Sequence, residues 1–324
     1  MLLAGCTEPV EEFGGPTMGS HYSLKYVAGA NTPVPSEVQR AVEQILGEVD
    51  QQMSTWRADS AVSRFNQLPA GSCQAMPAAV LELVRFGEQL SVASDGAFDL
   101  TVQPLLELWG FGAQARGMQV PSAAQIAAAR ANTGYRHLRI DGEQLCKEVA
   151  VQLDLDSIAA GYTVDRIGAR LAELGIGSYL LNVTGELKVV GRKPDGSAWH
   201  VALEVPRDDR QVAQQVLALD GQGVSTSGDY RNYFEQDGQR YSHTFDPRSG
   251  APVRHALAAV TVIDPSALRA DGLSTLLMVL GPEQGLAYAE QAGVAALFIS
   301  RSGQGFVSRP SAAFTRQFGT GTGQ

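Results

Sequence analysis

The order of strand and helix signals predicts an α+β fold with mixed, mostly antiparallel sheets and packed helices. Three observations carry this expectation. Stretches of alternating apolar residues are interleaved with amphipathic helices along the whole chain, and no internal repeat is present. The run Gly223–Thr244 turns back on itself at Asp237-Gly238, a pair suited to a tight antiparallel hairpin. No Gly/Pro/Ser-rich linker divides the 324 residues cleanly.

His21–Val27 alternates as a half-buried strand does, and Ser36 then stands where a cap would open an apolar-periodic helix through Met53. Asp59 marks the start of a short helix carrying Val62 and Phe65. Ala78–Ala93 reads as a longer amphipathic helix, and Ser122 as the cap of an alanine-rich one. Ser178–Val183, Leu187–Val190 and Trp199–Val205 read as successive strands. Ala256–Ile263 and Val294–Ser300 are further strands, flanking helices near Ala270–Leu280 and Glu283–Ala292.

With 44% apolar residues the chain can bury one large core or two fused lobes. Its net charge is −9 and its basic residues are scattered, which excludes nucleic acid as a partner and leaves no footprint for an anionic membrane surface. No window approaches the roughly 18 to 20 apolar residues of a bilayer span. GxGxxG after a first strand, GxxxxGK[ST], HExxH and GxSxG are all missing, which disfavours a Rossmann dehydrogenase, a P-loop ATPase, a zincin and an α/β-hydrolase.

Leu3-Ala4-Gly5-Cys6 has the form of a lipobox, although Met1–Gly5 alone is shorter than a secretory signal with its basic end and apolar stretch of about 7 to 15 residues. The polar, acidic, Gly- and Pro-bearing run TEPVEEFGGPT follows. Residues 1–16 are therefore expected to form a lipobox and flexible tether, with the folded domain in 17–320. Cys73 and Cys146 lie in short strand-like stretches. With Cys6 acylated they are an even pair that can bridge in an oxidising compartment; the other reading is two unpaired thiols, and sequence cannot supply the Cα separation that decides between them. Neither sits in a CxxC or Cys/His spacing, so zinc and thiol redox chemistry are disfavoured.

Leu153–Asp165 (LDLDSIAAGYTVD) and Ala270–Leu277 (ADGLSTLL) each place acidic and hydroxyl side chains where a helix is expected to begin. Unpaired N–H groups, a partial positive charge and hard oxygen ligands there suit a polyphosphate with Mg²⁺. Asp271, Ser274 and Thr275 fall at i, i+3 and i+4, on one helix face. Read alone, this octapeptide is better explained by Asp271 as a cap with two small packing residues. His243 has a side chain that can take a proton near neutrality, although a lone His is more often a hydrogen-bonded structural group. Trp56 offers a flat π-face, whereas Trp109 and Phe111 read as core.

Together these two segments and Ser225–Val253 resemble the ApbE family, the FAD:protein FMN transferases, from about Met18 to about Phe298. Thr17-Met18-Gly19-Ser20 is similar to the family's TMGT, and Ser54-Thr55-Trp56-Arg57 to its STYR. Gly96–Asp99 with Thr101, Pro104 and Trp109–Gly112 follows GAFDxTxxPL…WGFG. Asn182–Glu186 resembles the NVGGE/D turn, and STSGDY (225–230) and YSHTFDP (241–247) match nearly residue for residue. The resemblance implies an ApbE-like, T-fold-related architecture of two fused lobes. It implies Mg²⁺ at Asp271, Ser274, Thr275 and the backbone carbonyl of Ser157, and a catalytic role for His243 and Asp271. It implies flavin contacts from Met18, Trp56, Ala97, Phe98, Asp99, Asp154, Ala160 and Phe245.

Three positions depart from the family pattern. In place of LDLGGIAKGYAVD this chain has Asp156, an added negative charge, and Ala160 where a Lys would stand; Thr184 replaces a glycine. If that turn needs positive φ, Thr is a poor occupant and the local backbone is expected to differ. Gly161 keeps a position of close approach. The implied reaction is attack by a Thr or Ser hydroxyl of a partner protein on the FMN-side phosphorus of FAD, with AMP leaving. FAD is then a substrate. The acceptors implied are flavoproteins of exported or membrane electron-transfer complexes, such as subunits of Na⁺-translocating quinone reductases. The implied location is the periplasm, through a lipid on Cys6 to the inner or outer membrane. Water in place of the hydroxyl would make an FAD pyrophosphatase, and no turnover a periplasmic FAD-binding protein; both stay open at this point.

Overall fold

Residues 9–115, 117–207, 213–230, 232–303 and 305–319 are described by a computed structural model of the chain. Cys6, the site of the expected lipid, lies outside them. The first hairpin pairs β1 (Val10–Thr17) with β2 (Ser20–Val27), turned at Met18 (φ 45) and Gly19 (φ 72). Residues 10–16 are thus a strand and not part of a tether. Their glycines serve close approach: a Cβ at Gly14 would lie 2.5 Å from the Tyr22 carbonyl oxygen, and one at Gly15 would lie 3.1 Å from the Tyr22 ring. Phe13 packs edge-on to Tyr22 and Tyr26, with centroids 6.3 and 6.2 Å away.

Helix α1 (Pro35–Met53) opens with Pro35 in its first turn; Val34 is its cap residue and makes no side-chain cap bond, so Ser36 lies inside the helix. Next come α2 (Ala61–Asn66), capped by Ser60 Oγ, then β3 (Cys73–Ala75) and α3 (Ala78–Ala93). Helices α4 (Gln103–Trp109) and α5 (Ala123–Arg130) follow, the latter with a full Ser122/Gln125 capping box. Strands β4 (Leu138–Asp141) and β5 (Gln144–Lys147) join β3 in a small sheet of order β3-β5-β4. Cys73 and Cys146 face each other in that register and are disulfide-bonded, the bridged of the two readings left open by the sequence.

Helix α6 (Asp156–Glu173) leads to β6 (Tyr179–Val183) and β7 (Glu186–Val190), then to a hairpin of β8 (Trp199–Glu204) and β9 (Ala213–Leu219). Strand β10 (Gln222–Gly228) precedes the hairpin β11 (Tyr233–Gln236) and β12 (Gln239–Ser242), whose turn has Asp237 and Gly238 at φ 54 and 74. The short pair β13 (Phe245–Asp246) and β14 (Ala251–Pro252) leads into β15 (Leu257–Asp264). Helix α7 (Ala267–Ala292) breaks at Gly281 (φ 79) before Pro282, so its two halves match the two helices expected there. Strands β16 (Ala295–Ser302) and β17 (Gly305–Pro310) and helix α8 (Ala312–Phe318) end the fold.

The main sheet has eight strands in the order β1-β2-β6-β7-β10-β15-β16-β17, and every pairing in it is antiparallel. Period-two alternation sorts its residues to two faces. Ala296 and Phe298 of β16 join the cluster that holds α7, while Ala295, Leu297 and Ile299 pack with the β8–β9 hairpin and α8. The largest cluster runs unbroken from the small sheet and α3 through α6 and α7 to β15 and β16, so the two expected lobes share one core.

Candidate active site

Helices α6 and α7 meet along matching stripes. Ser157, Gly161 and Asp165 fall on one face of α6 at steps of four, and Ala267, Asp271 and Thr275 do so on α7. Residue 165 meets 267 and residue 161 meets 271, so the helices run antiparallel here. A Cβ at Gly161 would fall on the Ala267 carbonyl oxygen and lie 2.7 Å from Asp271 Cβ, so glycine permits this approach. There Gly161 N–H donates to Asp271 Oδ2 at 2.9 Å. In an undisturbed helix that amide would point at the Ser157 carbonyl. Its use by Asp271 leaves the Ser157 oxygen with capacity to accept a ligand.

Asp271 is a residue of the second turn of α7, not its cap; the cap is Ser266, whose Oγ accepts from Arg269 N–H at 3.2 Å. Ser274 faces the sheet. Its hydroxyl lies 3.1 Å from Ser225 Oγ and 2.8 Å from Ser227 Oγ, and donates to the Asp271 carbonyl at 2.9 Å, so it is engaged away from the cleft. Thr275 and Ser157 instead line the cleft beside Asp271. The alternating Ser225 and Ser227 of β10 are site-supporting hydroxyls that the motif reading left without a role. Their period of two in a strand was the available signal.

Burial, then repulsion from Glu186, pushes the Asp271 carboxyl well above the usual carboxylate range. Burial and then Asp156 do the same to Asp154, and the protein crowded around Asp156 raises that carboxyl too, although its side chain still opens to solvent. Asp156 is exposed to the cleft, so the added charge does face the site. Among the described residues no three His, Cys, Asp or Glu side chains come together as a metal cage. The oxygen set offered is one buried carboxylate, a threonine hydroxyl and a backbone carbonyl, which suits a hard cation that keeps part of its water.

The cleft encloses about 750 Å³. His243, just after β12, lines the same cleft. Its Nδ1 is 3.1 Å from the Asn232 carbonyl oxygen, which only accepts, so Nδ1 carries the proton and Nε2 keeps a lone pair. The ring is open to the cleft yet crowded by protein. That surrounding lowers its pKa from the ordinary value, partly offset by the Asn232 carbonyl and Asp229, so His243 is neutral at pH 7.

The family model described as "ApbE family" matches residues 18–298. The chain belongs to the ApbE family. It is 41% identical over 317 residues to the FAD:protein FMN transferase of Vibrio cholerae serotype O1, covering 97% of this chain and 95% of the relative. It is 37% identical over 305 residues to the one of Escherichia coli K12, covering 93% and 87%. Among solved structures, the apo Pseudomonas stutzeri flavinyl transferase ApbE shares 61% identity with a TM-score of 0.91, covering 97% of this chain and 98% of the other. The Vibrio cholerae flavin transferase shares 39% with a TM-score of 0.88, covering 96% and 100%.

The ApbE motifs divide between the cleft and the layer behind it. Trp56, 68% exposed, and Asp154 line the cleft, as do Thr55, Phe111 and Thr244. Ala97, Phe98, Ala160 and Phe245 do not: all four are buried in apolar clusters or helix packing. Phe245 sits edge-on to Trp109 and Phe111, and of these three it is Phe111, read as core, that lines the cleft. Asp99 accepts from Thr101 N–H and Oγ1 and from Tyr135 N–H, at 2.8, 2.7 and 2.8 Å. The neighbouring Leu100 carbonyl accepts from Asp154 N–H at 2.8 Å, so this motif props the segment before α6 that delivers Asp154. Met18 packs its side chain against the core from the hairpin turn, and Ser20 and His21 reach the cleft instead.

The turn at 182–186 keeps the conformation that a glycine would favour. Thr184 has φ 58, contrary to the expectation of a different backbone. Its Oγ1 donates to Glu186 Oε2 at 2.8 Å, and Gly185 N–H donates to Asn182 Oδ1 at 2.9 Å, so side chains secure the turn.

Proposed function

We propose that this protein moves FMN from FAD to a threonine or serine hydroxyl of a partner flavoprotein in a Mg²⁺-dependent reaction that releases AMP. The observation that carries this reading is the presence of a base and an oxygen-ligand set in one cleft. His243 with its neutral Nε2 lines the same cleft as Asp271, Thr275 and Ser157, whose carbonyl completes the oxygen set. A volume of about 750 Å³ is in the range of sites for large cofactors.

Asp271, Thr275 and the Ser157 carbonyl would hold Mg²⁺, which when bound offsets charge on the diphosphate and the departing AMP. Phosphoryl transfer is mainly a matter of positioning, and the protein's own groups do that work. Trp56 and Phe111 offer faces for the flavin or adenine ring. The first-turn amides of α6 are taken up inside the protein, Asp156 N–H by Asp154 Oδ1 and those of Ile158 and Ala159 by the Leu155 carbonyl, so they hold Asp154 and the helix start in place. His243 Nε2 accepts the proton of the attacking hydroxyl as the new P–O bond forms and the bond to AMP breaks.

The acceptors fitting this chemistry are exported or membrane flavoproteins, including subunits of Na⁺-translocating quinone reductases. The Cys73–Cys146 disulfide supports an oxidising compartment such as the periplasm. A lipid on Cys6 would be separated from β1 by Thr7–Pro9, a reach of roughly 10 Å, which would hold the domain close to the membrane. Among the described residues no helix is long and apolar enough to cross it.

The test is incubation with FAD, Mg²⁺ and a candidate acceptor subunit, read as in-gel flavin fluorescence and released AMP. Fluorescent acceptor with equimolar AMP is expected. Free FMN and AMP without labelled protein would make the protein a pyrophosphatase, and unchanged FAD in stoichiometric complex a binder.

A further inference from the structure

We propose that Asp165 is the positioning residue that sets the spacing of the cation-holding groups, an inference that rests on the reading of the cleft above. Its carboxylate gathers four donors. Lys188 Nζ from β7 lies at 3.0 Å and Ser266 Oγ at 2.7 Å, and the first two amides of α7, Ala267 and Leu268, lie at 3.0 and 3.1 Å. Helix α7 already has its own cap in Ser266. What Asp165 adds is a cap from a different helix, which ties the start of α7 to α6.

The stripes show why that tie matters. Along the antiparallel contact, Asp165 is opposite Ala267, Gly161 opposite Asp271, and Ser157 and Thr275 come one turn further on toward the cleft. Two contacts a helical turn apart, roughly 5 Å, fix both sliding and rotation of one helix on the other. With the Asp165 contact gone, the Gly161–Asp271 contact becomes a pivot. Rotation about it changes the separation of Ser157 and Thr275 directly, although Asp165 touches neither. Lys188 bonds both Asp165 and the Pro265 carbonyl, so β7 of the sheet is part of the same lock.

The test is a Mg²⁺ titration of FAD binding, followed by flavin fluorescence with no acceptor present. Asp165→Asn is expected to stay folded and to need about ten times more Mg²⁺ for half-saturation, the scale seen when groups behind metal ligands are changed. Ser266→Ala, which removes α7's own cap but leaves three of the four donors, is expected to lose comparable melting temperature with Mg²⁺ dependence within about twofold of wild type. If Asp165→Asn does not fold, Lys188→Gln serves as the second variant and is expected to move the midpoint about threefold in the same direction. A folded Asp165→Asn with the wild-type midpoint would overturn the proposal, as would an equal shift in Ser266→Ala or no shift in Lys188→Gln. Wild-type protein whose FAD binding ignores Mg²⁺ would instead refute the cation site itself.

Discussion

The two sides of the cleft are built on different principles. The helix side is buried: Asp271 is 5% exposed and Ser274 fully covered, and both sit on a helix pressed against the sheet in the largest core cluster. The lining at Trp56 and His243 is open. Trp56 is 68% exposed, and His243 follows a two-stranded ribbon that is not part of the main sheet. A divalent cation demands oxygens fixed to within a few tenths of an ångström, which packed helices supply. A planar ring and an incoming protein segment tolerate and need more freedom, which loops and an exposed indole supply.

The contrast makes substitutions on the two sides fail in different ways. The largest effect is expected from Asp271→Asn, which keeps shape but removes the one carboxylate of the proposed cation site. FMN transfer is expected to fall by about a hundredfold or more, roughly 3 kcal/mol, in a steady-state assay at saturating acceptor. Activity within threefold of wild type would erase the distinction between the sides.

His243→Gln comes next. It keeps the ring-side packing but accepts no proton, so transfer is expected to drop by about 10² with FAD affinity little changed. The wild-type pH profile sharpens the point. Because burial lowers the His243 pKa from 6.5, the neutral base is present at pH 7 and the acid limb of the rate is expected with its midpoint below 6.5. Activity should rise with pH through that midpoint and then level off, and the limb should vanish in the variant. A variant that keeps the limb would assign it to another group.

Gly161→Ala tests the helix side through stability. Alanine normally favours a helix interior by about 1 kcal/mol, but here its Cβ meets backbone that cannot yield. A net loss of about 1 to 3 kcal/mol is expected, seen as a lower melting temperature. A more stable variant would mean the helices are less closely locked than their contact indicates. The smallest effect belongs to Thr184→Gly in the turn at the cleft edge. Relief of about 1 kcal/mol of left-handed strain is offset by chain entropy and the lost bond to Glu186, so melting within about 1 kcal/mol of wild type is expected. A tenfold loss of transfer would give that hydroxyl a direct role.

Where the sequence was legible, a local signal coincided with the tertiary cause. Ser122 capped its helix and Asp237-Gly238 turned its hairpin because both are decided by neighbours a few residues away. Gly161 read correctly because its motif already implied close approach. The failures were cases where the same residue type answers a distant partner. Gly14 and Gly15 looked like a flexible tether, yet they lie against Tyr22 in a strand. Phe98 and Phe245 belonged to the right motifs, but core packing turned both away from the cleft and brought Phe111 forward. Ser274 shared a helix face with Asp271 and Thr275, and the hydroxyls of β10, far off in sequence, claimed it. Asp165 closed its motif in plain view, but its four partners lie 23 and 101 to 103 residues away.

The most direct test of the two-sided account is FAD affinity with and without Mg²⁺, in wild type and Asp271→Asn, without acceptor. The account predicts that Mg²⁺ tightens FAD binding tenfold or more in wild type and by less than twofold in the variant, whose ring-side contacts remain. Equal tightening by Mg²⁺ in both proteins would contradict it, because the cation would then be held somewhere other than on the α6–α7 side.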